Sequence, residues 1–227
     1  VQVDHHGPDP TLLEHLPAQR GPDHPRVGYT KANLANVLYA RRSFADAEHE
    51  YLEAIAIVER AHGPDHPDVG NMRSYLGAMM DSQGKHEGAV EQYRAALGAF
   101  EASVGGDHVD ASGVRINLAI ALDKIGRHDA AQEEYERALR ALDRTVGPRN
   151  PVRARAAASA GMFYAREGRY HRAQPLLEDA WSRLRDAGPS MTRARVAGAL
   201  AKTGRELGRD RASVEELARV AADYLQE

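Results

Sequence analysis

The sequence predicts an all-α chain, a solenoid of about five helical hairpins, and three observations predict it. The pentapeptide Gly21-Pro22-Asp23-His24-Pro25 returns as Gly63-Pro64-Asp65-His66-Pro67, as Gly105-Gly106-Asp107-His108-Val109 and as Gly147-Pro148-Arg149-Asn150-Pro151, 42 residues apart each time. Self-similarity at such a period is the signature of stacked repeats. Each period holds two runs of apolar residues at helical spacing, with no strand alternation. The composition, 42% hydrophobic but only 6% aromatic and rich in Ala and charge, favours helix, because Ala loses no side-chain entropy there and long charged side chains lose little.

In chain order, residues 1–20 do not complete a repeat. Leu12, Leu13 and Leu16 suit a short helix that Pro10 and Pro17 keep brief, so the segment reads as an N-terminal cap or the remnant of a preceding repeat. Repeats then span 21–62, 63–104, 105–146 and 147–188, with a degenerate C-terminal repeat or cap at 189–227 that follows a looser copy of the linker, Gly188-Pro189-Ser190. Within the first repeat, helices are predicted over about 26–41, with Leu34, Ala35 and Leu38 on one face, and about 44–61, with Phe44, Ala47, Tyr51, Ala54 and Ile55 on another. Gly-Pro ends each second helix, Gly by taking a left-handed backbone and Pro by refusing to continue. Asp or His then caps the next helix, with Pro at or near its first position.

The same residue types recur in register. A large apolar column reads Leu34, Leu76, Leu118, Ala160, Leu200, and beside it lies a small one, Ala35, Gly77, Ala119, Gly161, Ala201. On the second helix, small residues (Ala47, Ala89, Ala131, Ala173, Ser213 and Ala54, Ala96, Ala138, Ala180, Val220) flank Tyr51, Tyr93, Tyr135, Leu177 and Leu217. Small residues at fixed points let helices approach closely while large ones fill the gaps, so these columns are read as core.

Leu-Ala in the first helix, the turn glycines Gly84, Gly126 and Gly168, and the Ala-Tyr-Ala series of the second helix resemble the tetratricopeptide pattern, from which Arg42 departs. The 42-residue period and the Gly-Pro-Asp-His-Pro linker are similar to the kinesin-light-chain subtype, widespread in bacteria, over roughly residues 21–227. The resemblance implies a right-handed superhelix whose first helices line a concave groove that binds a peptide or protein segment.

By that resemblance the partner-binding positions are Tyr29, Asn33, Asn36 and Tyr39 in the first repeat, Asn71, Ser74 and Asp81 in the second, and Asn117, Asp123 and Lys124 in the third. Arg155, Met162 and Arg166 follow in the fourth, then Arg195, Lys202 and Arg205 in the last. The same register places Ala32, Ile116, Ala158 and Ala165 on the groove wall. The surface is expected to be polar and aromatic at its start and basic at its end. Arg forks pair bidentately with carboxylates, so an acidic segment or a C-terminal carboxylate is the expected guest. Pairing of these charges with a neighbouring hairpin is the structural alternative.

Charge and motifs exclude much else. The net charge of −3 argues against a basic nucleic-acid binder, although about −8 resides in residues 1–110 and about +5 in 111–227. There is no Cys, hence no disulfide or thiolate site, which suits a cytoplasmic protein; no apolar run is long enough to span a membrane. His24, His66 and His108, each beside an Asp, lie about 8–10 Å apart or more in stacked hairpins, too far to converge on one metal ion. His49-Glu50 and His86-Glu87 lack the second His of a zinc-protease helix, since Glu53 and Val90 stand there. No phosphate loop, dinucleotide fingerprint or nucleophile elbow occurs.

The expectation is therefore a non-enzymatic interaction module without cofactor or metal. A sensor or regulatory domain of a larger bacterial signalling ATPase or transcription regulator is the alternative, with which a chain starting at Val1 is compatible. An enzyme with a site built from no known motif ranks last. An open solenoid end would favour a homodimer.

Overall fold

The structure is a computed structural model that describes residues 21–147, 150–185 and 190–224. The cap expected at 1–20, most of the Gly188-Pro189-Ser190 linker, and Pro148 and Arg149 lie outside the described residues. Ten helices are described: α1 Pro25–Ala40, α2 Phe44–His62, α3 Pro67–Ser82, α4 His86–Ser103, α5 Val109–Lys124, α6 His128–Thr145, α7 Pro151–Arg166, α8 Tyr170–Leu184, α9 Met191–Glu206 and α10 Arg211–Asp223. The chain divides into two compact units, residues 1–127 and 128–227. The division falls between α5 and α6, inside the third predicted repeat.

Each first helix begins where the linker says it should. The Nδ1 atoms of His24, His66 and His108 accept from the backbone N–H groups of Arg26, Asp68 and Asp110 at 3.2, 3.3 and 3.3 Å. In the fourth linker Asn150 does the same for Val152 at 2.8 Å, and Ser190 caps α9 through the N–H of Arg193. His, not Asp, is thus the capping residue of the pentapeptide. Pro25, Pro67 and Pro151 each take the first helical position, where the missing N–H leaves no hydrogen bond unmade. Ahead of the second linker, Gly63 adopts φ 89°, ψ 160°, beyond the left-handed helical basin and in a region that only Gly enters without strain.

The hairpin turns share one device, a single residue at positive φ. Gly84, Gly126, Gly168 and Gly208 supply it at 65–79°, and Arg42 is forced into it at φ 63°. After the last turn Asp210 stands where Phe44, His86, His128 and Tyr170 stand in the other hairpins. Asp210 caps α10 with its own carboxylate, accepting from the Ser213 N–H at 2.9 Å, and this bond holds its carboxyl below the usual range.

In the first unit, α1–α2 and α3–α4 are hairpins, and α5 packs on the second of them. Ala35, Ala47, Ala54, Leu76, Ala89 and Ala96 are wholly buried, and Tyr51 and Tyr93 nearly so. In the second unit, α6 packs on the hairpin α7–α8, and α9–α10 follows. There Ala131, Ala138, Ala160, Ala173, Leu177 and Ala180 are wholly buried. The core columns hold except at the ends: Leu34 is half-buried, Ser213 exposed, and Leu217 and Val220 half-buried.

Successive hairpins are also tied by ion pairs that recur with the period. Glu59 on α2 meets Arg73 on α3 at 2.5 Å, Glu101 on α4 meets Arg115 on α5, and Asp143 on α6 meets Arg153 on α7 at 2.7 Å. The acids are 42 residues apart; the third base sits one helical turn early because Ala157 occupies the expected place.

Three outcomes follow for urea unfolding. His66→Ala should lower stability by about 1 kcal/mol through loss of the cap, and His66→Asn should restore most of it. Arg42→Gly should stabilise by about 0.5–1 kcal/mol, because a side chain no longer has to be held at positive φ. Gly161→Val should destabilise by about 1–3 kcal/mol, since even a Cβ there would lie 2.8 Å from Leu177 Cγ and 3.2 Å from its backbone nitrogen.

Candidate functional site

In the first unit the candidate residues lie on α1, α3 and α5, and several bind side chains of a neighbouring helix. The Tyr29 hydroxyl donates to Asp68 Oδ2 at 2.7 Å, and the Tyr39 hydroxyl donates to Ser82 Oγ at 3.0 Å, both from α1 to α3. From α5 to α3, Lys124 Nζ donates to Asp81 Oδ2 at 2.8 Å, while the other Asp81 oxygen lies 2.7 Å from His86 Nδ1. Asn36 accepts from the buried Tyr51 hydroxyl. The alternative of charge satisfied by a neighbouring hairpin therefore holds for Asp81 and Lys124. Asn33 is exposed, whereas Asn71, Ser74, Asn117 and Asp123 are half-buried; Asn117 and Asp123 also have partners.

These contacts fix the surface electrostatics. Burial, reinforced by the Asp68 carboxylate, pushes the Tyr29 phenol up to about 12. Burial and the neighbouring Tyr75 and Tyr39 phenols raise Tyr51 to about 12 as well. Tyr29 and Tyr51 are thus neutral at any physiological pH. Tyr75 on α3 is, at 57%, the most exposed large hydrophobic side chain among the described residues. Tyr75 was not among the positions expected from sequence, although it stands 42 residues from both Asn33 and Asn117, and that register was the available signal.

In the second unit Arg155 and Arg166 are exposed on α7, with Met162 half-buried between them, and both arginines have partners. On α9, Arg195, Lys202 and Arg205 are exposed at spacings of seven and three, one face of a helix. Among the described residues these three side chains form no hydrogen bond or ion pair. One part of the expected surface is corrected in both units: Ala32, Ile116, Ala158 and Ala165 are 8%, 0%, 3% and 3% exposed. Small or apolar side chains at those positions are covered by packing and cannot line a groove.

The metal readings resolve differently. His24, His66 and His108 are spent on capping. His49, Glu50 and Glu53 do place ligand atoms within 4.8 Å of one another, but Lys31 Nζ already lies 2.9 Å from Glu50 and 2.6 Å from Glu53. Burial works against the Lys31 charge, yet the two carboxylates outweigh it and hold the amine above its usual range. Glu53 is lowered in turn, chiefly by the Lys31 hydrogen bond. An ammonium occupies the position that a cation would need. No helix among the described residues is long and apolar enough to cross a membrane.

Comparison with known proteins places the chain. A tetratricopeptide-repeat family model matches residues 26–102, 82–144 and 110–186. No match was found among curated protein sequences. Among solved structures, BtubC (BKLC) from P. vanneervenii is similar with a TM-score of 0.78 at 19% identity, over 95% of this chain and 86% of that one. A kinesin-light-chain-like array of nearly identical TPR-like repeats from Podosopora anserina gives 0.69 at 19% identity, over 89% and 96%. The apo form of RapI gives 0.75 at 12% identity, over 95% of this chain and 56% of that one. At such identities these likenesses speak for the fold alone. The family match covers well over half of the sequence, and with the 42-residue helical hairpins it shows that the chain belongs to the tetratricopeptide-repeat family, a fold of protein-interaction scaffolds.

Proposed function

We propose that the chain binds a polypeptide segment on its first-helix faces, and that the α9 face takes its acidic groups. The observation that carries this reading is the row Arg195, Lys202 and Arg205, exposed and without partners among the described residues. The first unit spends its groove charges internally, as Asp81 and Lys124 do, and keeps neutral tyrosine and asparagine groups outward. Those suit hydrogen bonding to a peptide backbone, whereas the α9 row suits carboxylates, side-chain or C-terminal. The repeat fold is in general a non-catalytic scaffold, which agrees with the absence of any catalytic motif in the sequence.

An acidic decapeptide with a free C-terminus, titrated by fluorescence anisotropy, tests the α9 row. The triple change Arg195→Glu, Lys202→Glu, Arg205→Glu should weaken it roughly tenfold at low salt, since each exposed pair contributes about 0.2–1 kcal/mol, and 0.5 M salt should shrink the difference. Equal affinity of the triple variant would remove the basic face from the reading.

A further inference from the structure

The second unit contains the same side-chain arrangement twice, once filled and once empty. In the filled copy, Tyr164 on α7 is 3% exposed and donates its hydroxyl to Glu136 Oε1 on α6 at 3.1 Å. Gln132, one turn before Glu136, donates its amide to that same oxygen at 2.8 Å, and Arg169 from the hairpin turn satisfies the Gln132 carbonyl. The Arg172 guanidinium lies 5.7 Å from the centre of the Tyr164 ring. Glu136, despite burial, is held below the usual carboxylate range by the hydrogen bonds of Gln132, Tyr164 and Arg140 and by the Arg172 charge.

The helices α8 and α9 repeat this geometry one hairpin later. Gln174 and Glu178 follow Gln132 and Glu136 by 42 residues, and again the glutamine amide donates to the glutamate, at 2.5 Å. Gly208 and Arg209 follow Gly168 and Arg169 by 40, because the last linker is shorter. In that register Phe163 and Tyr164 become Thr203 and Gly204. The ring that should meet Glu178 is absent. An open cavity of about 310 Å³ stands in its place, lined by Gln174, Glu178, Gly204, Arg209, Val214 and Leu217 among others. Gln174 is 8% exposed, yet its carbonyl oxygen has no hydrogen-bond partner. Leaving a buried acceptor unpaired is costly, so the site retains a polar atom that its own fold does not satisfy.

We propose that this cavity receives a tyrosine side chain from a bound polypeptide, its phenol donating to Glu178 as Tyr164 donates to Glu136. The apolar wall from Val214 and Leu217 would cover the ring, and the Gln174–Glu178 pair would read the hydroxyl. Phenylalanine fits the volume but brings no donor for the Glu178 carboxylate, which is exposed and already accepts from Gln174, so the preference for tyrosine rests on one added hydrogen bond to a charged acceptor. The site is distinct from the basic α9 face and stands whether or not that face binds acidic segments.

The test is a titration of the full chain, followed by the amide signals of Gly204 and Val214 and the side-chain amide of Gln174 in two-dimensional NMR. The probes are p-cresol, 4-methylanisole, and the pentapeptides Gly-Gly-Tyr-Gly-Gly and Gly-Gly-Phe-Gly-Gly. p-Cresol and the tyrosine peptide should shift these signals, with 4-methylanisole and the phenylalanine peptide roughly tenfold weaker or worse. Glu178→Leu, which removes the acceptor from an exposed position, should abolish that preference. Gly204→Tyr combined with Val214→Ala, which makes room where a Cβ at Gly204 would lie 3.1 Å from Val214 Cγ2, should fill the cavity and block both probes. Equal binding of cresol and anisole, or no shift at these amides, would overturn the proposal. Binding of p-cresol without the tyrosine peptide would overturn the polypeptide as its source. Should the double variant fail to fold, the Glu178→Leu result decides by itself.

Discussion

Two helices can lie against each other along a hairpin only where one of them carries almost no side chain, and the architecture of both units follows from that steric condition. Gly77 faces the Tyr93 ring so closely that a Cβ would lie 3.0 Å from it, and Gly161 faces Leu177 more closely still. Wholly buried alanines at 47, 54, 89 and 96 flank the large side chains of the same helices. Each large side chain thus has a small neighbour to pack over, and interaxial distance, ring burial and hairpin angle are set together. Hydrophobic area alone would not do this, since a chain so poor in aromatics depends on fit more than on bulk.

That condition also explains what could be read from sequence. The core columns and the capped linkers repeat, so each copy corroborates the others, and His24, His66 and His108 stand where a cap must stand. The end effects were partly legible: Ser213 and Val220 break their columns, and both are less buried than their counterparts. The lateral bonds were not legible. Tyr29 with Asp68 and Tyr39 with Ser82 join residues about forty apart through side-chain rotamers that no periodicity encodes. Covered positions such as Ile116 were mistaken for groove wall because the family register gives a direction along a helix but not the depth of packing around it. The division of the chain at Arg127 and His128 likewise has no counterpart in the repeat pattern.

Polar groups are distributed in a consistent way. Where hairpins meet, acids and bases are paired and partly covered, as with Arg115, whose side chain is 9% exposed. Such pairs add modestly to stability, because desolvation offsets much of the attraction, but they penalise wrong neighbours strongly, since a covered charge without its partner is costly. The faces turned outward carry the opposite pattern, with Tyr75 exposed on α3 and the basic row exposed on α9. Specificity of assembly and availability for partners are thereby assigned to different surfaces of the same helices.

The early placement of the base on α7 gives the hairpins a fixed order. Glu59 and Glu101 each meet an arginine fourteen residues later, whereas Asp143 meets one only ten residues later, because position 157 is alanine. Moved to follow α4, the hairpin that begins at α7 would bring Ala157 to the place where Arg115 now meets Glu101. The repeats look alike in sequence, yet each is keyed to its predecessor, so duplication or shuffling of hairpins in this lineage would carry a penalty until the charges were re-matched.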